Sequence, residues 1–98
     1  MAPKELKALR LLMDNPLGLY GSEFVALSEG YLGRGTIYTT LERLIEKGYV
    51  SEIEEEATSS YQLARTRHKI TGAGQRAVQE YLVLMGLQLA NAVTALLE

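Results

Sequence analysis

Apolar residues recur along this chain with two different periods, and the switch between them lays out the fold. Over residues 4–15, KELKALRLLMDN, the apolar Leu6, Leu9, Leu12 and Met13 share one face and Lys4, Lys7 and Arg10 the other, the spacing of an amphipathic helix. That helix is expected to end before Pro16, because a residue preceding proline is pushed out of the helical region. Leu17 to Gly21 reads as a turn with apolar anchors. Ser22 is placed to cap a second short helix, SEFVALSEG, with Phe24, Val25 and Leu27 inward and Gly30 closing it. The stretch LGRGTIYTTLERLIEKG, Leu32 to Gly48, then predicts a third helix. Ile37, Leu41, Leu44 and Ile45 form its apolar stripe, while Arg34, Thr36, Tyr38, Thr39, Thr40 and Arg43 fall mainly on the other side and near its start. Thr36 stands at the expected N-cap, and Lys47-Gly48 at the expected stop.

After Gly48 the helical period is lost. Tyr49 to Glu54 is rich in β-formers, with Val50 inward, and Tyr61 to Ile70 alternates imperfectly. The small polar residues 57–60, ATSS, suit the turn of a β-hairpin between them. Thr71 is then placed to cap a last helix. Gly72 and Gly74 weaken its first turn, each by up to about 1 kcal/mol against alanine. Beyond them Val78, Leu82, Met85, Leu89, Ala92 and Leu96 alternate steps of four and three, a heptad seam that Tyr81, Leu84, Val93 and Leu97 widen. From Gly72 to Leu97 this helix spans roughly 39 Å at 1.5 Å per residue, longer than a small three-helix core can cover. Self-association is therefore expected over residues 83–97. Gly86 fits either a close helix approach or a kink.

Ninety-eight residues, 47% of them apolar, make one modest core. The organisation expected is a unit over residues 1–71 followed by a dimerisation helix over 72–98. No cysteine is present, which excludes disulfides and thiolate metal sites and suits a reducing compartment. The longest apolar run, near the C-terminus, is interrupted by Gln88 and Asn91, so neither a signal peptide nor a membrane span is expected, and a cytoplasmic location is. The net charge of −2 argues against indiscriminate binding to nucleic acid. The charges are segregated, however. Glu52, Glu54, Glu55 and Glu56 precede a run of Arg65, Arg67, His68, Lys69 and Arg76 without acids, which leaves room for a local positive patch.

Catalytic chemistry has little to work with. His68 is the sole histidine and is flanked by bases in a predicted strand, so it reads as a solvated or wing-tip residue and not a general base. No second histidine or cysteine stands at ligand spacing for zinc. The Glu52–Glu56 run reads as a solvated strand edge that deters edge pairing. Gly72 and Gly74 lack the lysine and hydroxyl of a phosphate loop. Neither a metal nor a cofactor is expected.

Three helices, a hairpin and a fourth helix make the order of a winged helix-turn-helix, mainly α with a small β element and a long C-terminal dimerisation helix. In such a domain the third helix enters the major groove and the wing follows phosphates. Thr36, Tyr38, Thr39 and Thr40 then offer hydroxyls, and Arg34 and Arg43 offer charge. Arg65, Arg67 and Lys69 on the wing strand are placed for backbone contacts.

GTIYTTLERLIEKGYV also resembles a stretch of the PadR-type transcriptional regulators, matching their pattern at Gly35, Ile37, Tyr38, Leu41, Leu44, Gly48, Tyr49 and Val50. Downstream, RHKITGAGQRAV is similar to a second motif of that family at Ile70, Thr71, Gly74, Ala77 and Val78. The resemblance covers about residues 5–82. It implies a homodimeric repressor on a palindromic double-stranded DNA operator, with Tyr38 pointing at the DNA and the C-terminal helix, through Val78, Leu82, Met85, Leu89, Ala92 and Leu96, making the dimer contact. It also implies that a planar aromatic effector binds between subunits, although the chain has no tryptophan to stack on one, leaving Tyr81 and Met85. Three features depart from the family pattern. ATSS lacks a glycine-arginine-proline run, the first wing strand is acidic, and the tail is a single helix. The alternative from a different class is a winged-helix adaptor whose third helix docks on a protein. That reading predicts an apolar hot spot on the same face and little salt dependence.

Overall fold

In a computed structural model the chain is described over residues 1–56 and 65–97. The expected wing turn and the first residues of the second wing strand lie outside the described residues. The elements run α1 (Pro3–Asp14), β1 (Leu19–Tyr20), α2 (Gly21–Leu27), α3 (Ile37–Glu46), β2 (Val50–Glu55), β3 (Arg65–Ile70) and α4 (Gly72–Leu97).

The helical stripes converge on one core. Ala8, Leu9 and Leu12 of α1, Phe24 of α2, Leu32 of the connection, Ile37, Leu41 and Leu44 of α3, Leu19, Val50 and Val78 are all buried. Each large side chain of this kind contributes about 1.5–3 kcal/mol when fully removed from water. Met13 and Leu27, expected inward, are largely exposed. Leu27 is the last residue of α2, and the chain there already turns away from the core.

Helix ends depart from the expected caps in detail. Ser22 does not cap α2. The helix begins two residues earlier, at Gly21 with Tyr20 in the N-cap position, and Glu23 Oε1 accepts from the Tyr20 amide at 2.8 Å. Ser28 is buried instead at the far end, where its Oγ donates to the Val25 carbonyl and accepts from the Leu32 amide. Gly30 closes α2 as expected, its amide returning to the Val25 carbonyl. Thr36 occupies the N-cap position of α3 without a side-chain cap; its hydroxyl donates to the Gly33 carbonyl. The expected cap of α4 is formed, since Thr71 Oγ1 accepts from the Gly74 amide at 3.0 Å.

The sheet has three antiparallel strands in the order β1-β3-β2, not two. The extra strand is the Leu19–Tyr20 segment expected as a turn. Leu19 pairs with His68 and Tyr20 with Arg67, while β2 pairs with β3 from Val50–Ile70 to Glu55–Arg65. Gly18 makes this approach feasible: it has φ +101°, and a Cβ there would lie 2.7 Å from Arg67 Cγ and 2.8 Å from the His68 carbonyl oxygen.

Central placement of β3 also corrects the reading of His68. It is not solvated but 4% exposed, packed edge-on to Phe24 with ring centroids 6.3 Å apart. Its Nδ1 has no hydrogen-bond partner among the described residues. Burial holds the imidazole below its ordinary value near 6.5, against opposing influences from the Glu52 charge and the Leu19 backbone.

Where α4 joins the domain the fit is close. The Thr71 amide donates to the Tyr49 carbonyl and its hydroxyl to the Gly48 carbonyl at 2.7 Å, fastening the end of β3 to the segment that follows α3. Gly74 lies directly on this segment, where a Cβ would overlap the Tyr49 carbonyl oxygen and come within 2.8 Å of Ile70 Cγ1. Val78, one turn on, is in the core. Over residues 82–97 α4 is exposed on every side, and the molecule measures 67 × 26 × 20 Å. The helix is long and apolar enough to cross a membrane by length and composition, with a window of mean hydropathy 1.4.

Two outcomes follow from this packing. Gly74→Ala lowers stability by about 1–3 kcal/mol through overpacking, read as a fall in the thermal midpoint. Stability also falls as pH is lowered from about 7.5 through the ordinary histidine value near 6.5. The unfolded chain there takes up a proton that folded His68 resists, and His68→Leu flattens that part of the stability–pH profile.

Candidate nucleic-acid interface

The α3 helix is held by its buried stripe, and that stripe determines what faces outward. With Ile37, Leu41 and Leu44 inward, Tyr38, Thr39, Glu42, Arg43 and Glu46 are exposed, preceded by exposed Arg34 and Thr36. Tyr38 is 62% exposed. Its ring nevertheless rests on the start of α2, so that a Cβ at Gly21 would come within 2.7–2.9 Å of the ring and its hydroxyl. The small residue at position 21 thus sets where the tyrosine stands.

Thr40 does not join this face. It is 7% exposed, and its hydroxyl donates to the Thr36 carbonyl at 3.0 Å. It falls on the inner side because it follows Ile37 by three residues and precedes Leu44 by four, within the arc of the buried stripe. Two residues that sequence reasoning left out do join it. Glu42 lies one turn after Tyr38 and Glu46 one turn after Glu42, a spacing of four visible in the sequence. The face therefore mixes two arginines and three hydroxyls with two carboxylates.

Clefts flank α3 on both sides. Between α2 and α3 one of about 370 Å³ is walled by Ser22, Val25, Arg34 and Tyr38. On the other side a cleft of about 480 Å³ separates α3 from the beginning of α1. One of its lining residues, Glu5, is held in an ion pair. Glu5 is buried and takes Lys47 Nζ at 2.9 and 3.1 Å, as well as the Ala2 amide at 3.2 Å. Burial pushes the Glu5 carboxyl up, but the bonds from Lys47 and Ala2 and the charges of Lys47 and Arg43 outweigh it, leaving a net shift downward.

The basic strand is organised differently from the expectation. Arg65, Arg67 and Lys69 alternate onto the sheet face opposite the core, together with Tyr20, Ile53 and Glu55. Arg67 is not free for phosphate. Its Nε bonds Glu55 Oε1 at 2.6 Å, its Nη2 donates to the Tyr20 hydroxyl at 2.7 Å, and its guanidinium lies 4.7 Å from the Tyr20 ring centroid. The Tyr20 hydroxyl in turn donates to Glu55. Arg65 stacks on the same ring at 3.7 Å. The Tyr20 bond first, and then Arg67, hold the Glu55 carboxyl below the usual carboxylate range. Lys69 is half-buried at its register position opposite Ser51.

The dimer seam is divided as well. Val78 belongs to the core of its own subunit, with 1% exposure, and is removed from the expected interface. Leu82, Met85, Leu89, Ala92 and Leu96 are exposed.

No protein-family model matches the sequence, and no match is found among curated proteins. Solved structures do match. A PadR-like transcription factor from Bacteroides fragilis is 23% identical over 94% of this chain and 87% of that one, with a TM-score of 0.74. A Thermoplasma acidophilum protein assigned as a transcriptional regulator is 23% identical over 93% of this chain and 85% of its own, with a TM-score of 0.68. The Bacillus subtilis PadR protein, in complex with operator DNA, is 19% identical over 85% of this chain and 48% of its own length, with a TM-score of 0.69. The chain therefore has the winged helix-turn-helix fold of the PadR-like structures, long C-terminal helix included.

Proposed function

We propose that the protein is a PadR-type, sequence-specific DNA-binding transcriptional regulator, acting in the cytoplasm as a homodimeric repressor on a palindromic operator. The observation that carries this reading is the outward face of α3. Tyr38, Thr39 and Arg43 stand exposed on a helix whose opposite side carries the buried Ile37, Leu41 and Leu44, with Arg34 and Thr36 exposed just before it, in a fold shared with a PadR protein that is in complex with operator DNA. Such a helix offers hydroxyl and guanidinium groups to base edges and phosphates. An adaptor surface would need an apolar hot spot there, whereas this face is mostly polar and charged.

Residues 1–71 form the DNA-binding part, and residues 72–98 the dimerisation helix, whose first two turns double as core. Two copies of α4 packed along Leu82, Met85, Leu89, Ala92 and Leu96 bury apolar surface that a monomer leaves in water. This reading is preferred to a membrane span because Gln88 and Asn91 lie outside the seam in the middle of the helix. Polar groups at that place are solvated in a dimer and costly in a bilayer. The dimer presents two α3 helices to successive major grooves, roughly 34–36 Å apart. Tyr81 and Met85, at the root of the seam, are where an aromatic effector would sit between subunits.

Tyr38→Ala is expected to weaken binding to an operator selected from a random duplex pool by about 1–3 kcal/mol while leaving the thermal midpoint near that of the parent. Undiminished affinity would remove α3 from the reading role. Leu89→Glu is expected to halve the mass seen by light scattering, and a parent-like mass would exclude the seam as the dimer contact.

A further inference from the structure

If the protein grips DNA through α3, the phosphates beside that helix need cations that are not already committed. The basic strand supplies few. Arg67 is engaged by Glu55 and Tyr20, and Arg65 is stacked on the same ring. The cleft between α3 and the start of α1 is different. Lys4 and Arg43 both line it, each exposed and neither in an ion pair among the described residues. Tyr31, Thr36 and Thr39 line it with hydroxyl groups. The Lys4 ammonium lies 6.0 Å from the centre of the Tyr31 ring, which also lines the cleft. The one acid present, Glu5, is already neutralised by Lys47 at 2.9 Å. The cleft lining thus carries an excess of positive charge although the whole molecule carries a net charge of −2.

We propose that this cleft is the principal phosphate seat of the protein, engaging a DNA backbone phosphate next to α3 through Lys4 and Arg43, with the Tyr31 and Thr39 hydroxyls donating to its oxygens. The inference rests on the DNA-binding reading above and adds to it α1 and the α2–α3 connection as contact elements. A volume of about 480 Å³ open to solvent accommodates a phosphodiester with its flanking sugars. Two cations and hydroxyl donors satisfy the anion without base-specific contacts, so the seat fixes register and not sequence.

The test uses the full chain and a fluorescein-labelled random-sequence duplex, with affinity followed against salt concentration. Each phosphate contact contributes about 0.9 to the slope of log affinity against log salt. Lys4→Ala and Arg43→Ala should each lower that slope by about 0.9 and weaken binding several-fold at moderate salt. Tyr31→Phe should weaken binding without changing the slope. Arg10→Ala, exposed on α1 outside the cleft, should keep the parent slope. Thermal midpoints like that of the parent show that the exposed Lys4 and Arg43 variants fold. If the parent binds duplex and the two cleft variants retain its slope, or if Arg10→Ala loses as much as they do, the seat is wrong while the DNA reading stands. Binding of inorganic phosphate in the cleft with an unchanged duplex slope makes it a small-anion site and also overturns the proposal. Failure of the parent to bind any duplex overturns both readings.

Discussion

The burial of Ile37, Leu41 and Leu44 governs the rest of the molecule. These three side chains occupy one side of a ten-residue helix and leave it no freedom of rotation, since turning it would expose Leu44 or bury Arg43. Their partners come from α1, α2 and the first residue of β2, so the same contacts that hold α3 also assemble the three-helix core. At its far end Lys47 reaches the buried Glu5 carboxylate, tying α3 to the start of α1. With Lys47 exposed, the pair itself adds little net stability, but leaving the buried Glu5 without Lys47 would strand a charge. Its main effect is to keep the two helices at the separation that forms the cleft between them.

Electrostatics on this small acidic molecule are arranged by position more than by total. The acids of β2 do not merely dilute the bases of β3. Glu55 collects the Tyr20 hydroxyl and the Arg67 guanidinium into one cluster, which binds the two wing strands to β1 across the outer face of the sheet. The arginines there serve rigidity before recognition. On the other side of α3, Lys47 neutralises Glu5 and leaves Lys4 and Arg43 uncompensated. Two cations, Lys4 and Arg43, thereby line the cleft between α3 and the start of α1 without an ion-pair partner among the described residues.

Much of this was legible in the sequence because helical periodicity is a strong signal. All four helices, the two wing strands and the buried stripe of α3 follow from the spacing of apolar residues. What escaped did so for identifiable reasons. A strand of two residues, Leu19–Tyr20, is too short to display a period, and only its partner reveals it. His68 sits between two bases, and nothing local shows that β3 is the central strand whose inner face carries it into the core. Thr40 looked like its neighbours Thr36 and Thr39, and only its place in the helical arc separates it. Arg67 read as a phosphate ligand because its ties, to Tyr20 and Glu55, come from residues 47 and 12 positions away. Val78 matched the heptad seam and the core equally well, since α4 serves both. The site was therefore legible as a helix face and illegible as a charge arrangement.

The contact of Gly74 with the Tyr49 backbone makes α4 a lever with a fixed pivot. The helix meets the domain backbone to backbone, and Val78 anchors it one turn later, so its direction is set within a few residues. From there to Leu97 it extends about 35 Å. A tilt of about 10° at the pivot displaces the far end by about 6 Å, a distance comparable to one turn of helix. In a dimer joined along α4, the separation of the two reading helices is read out from that pivot. Whatever moves the segment between Gly48 and Gly74 is amplified over the whole length of the arm, so the mechanical gain of the protein resides at a position far from the outward face of α3.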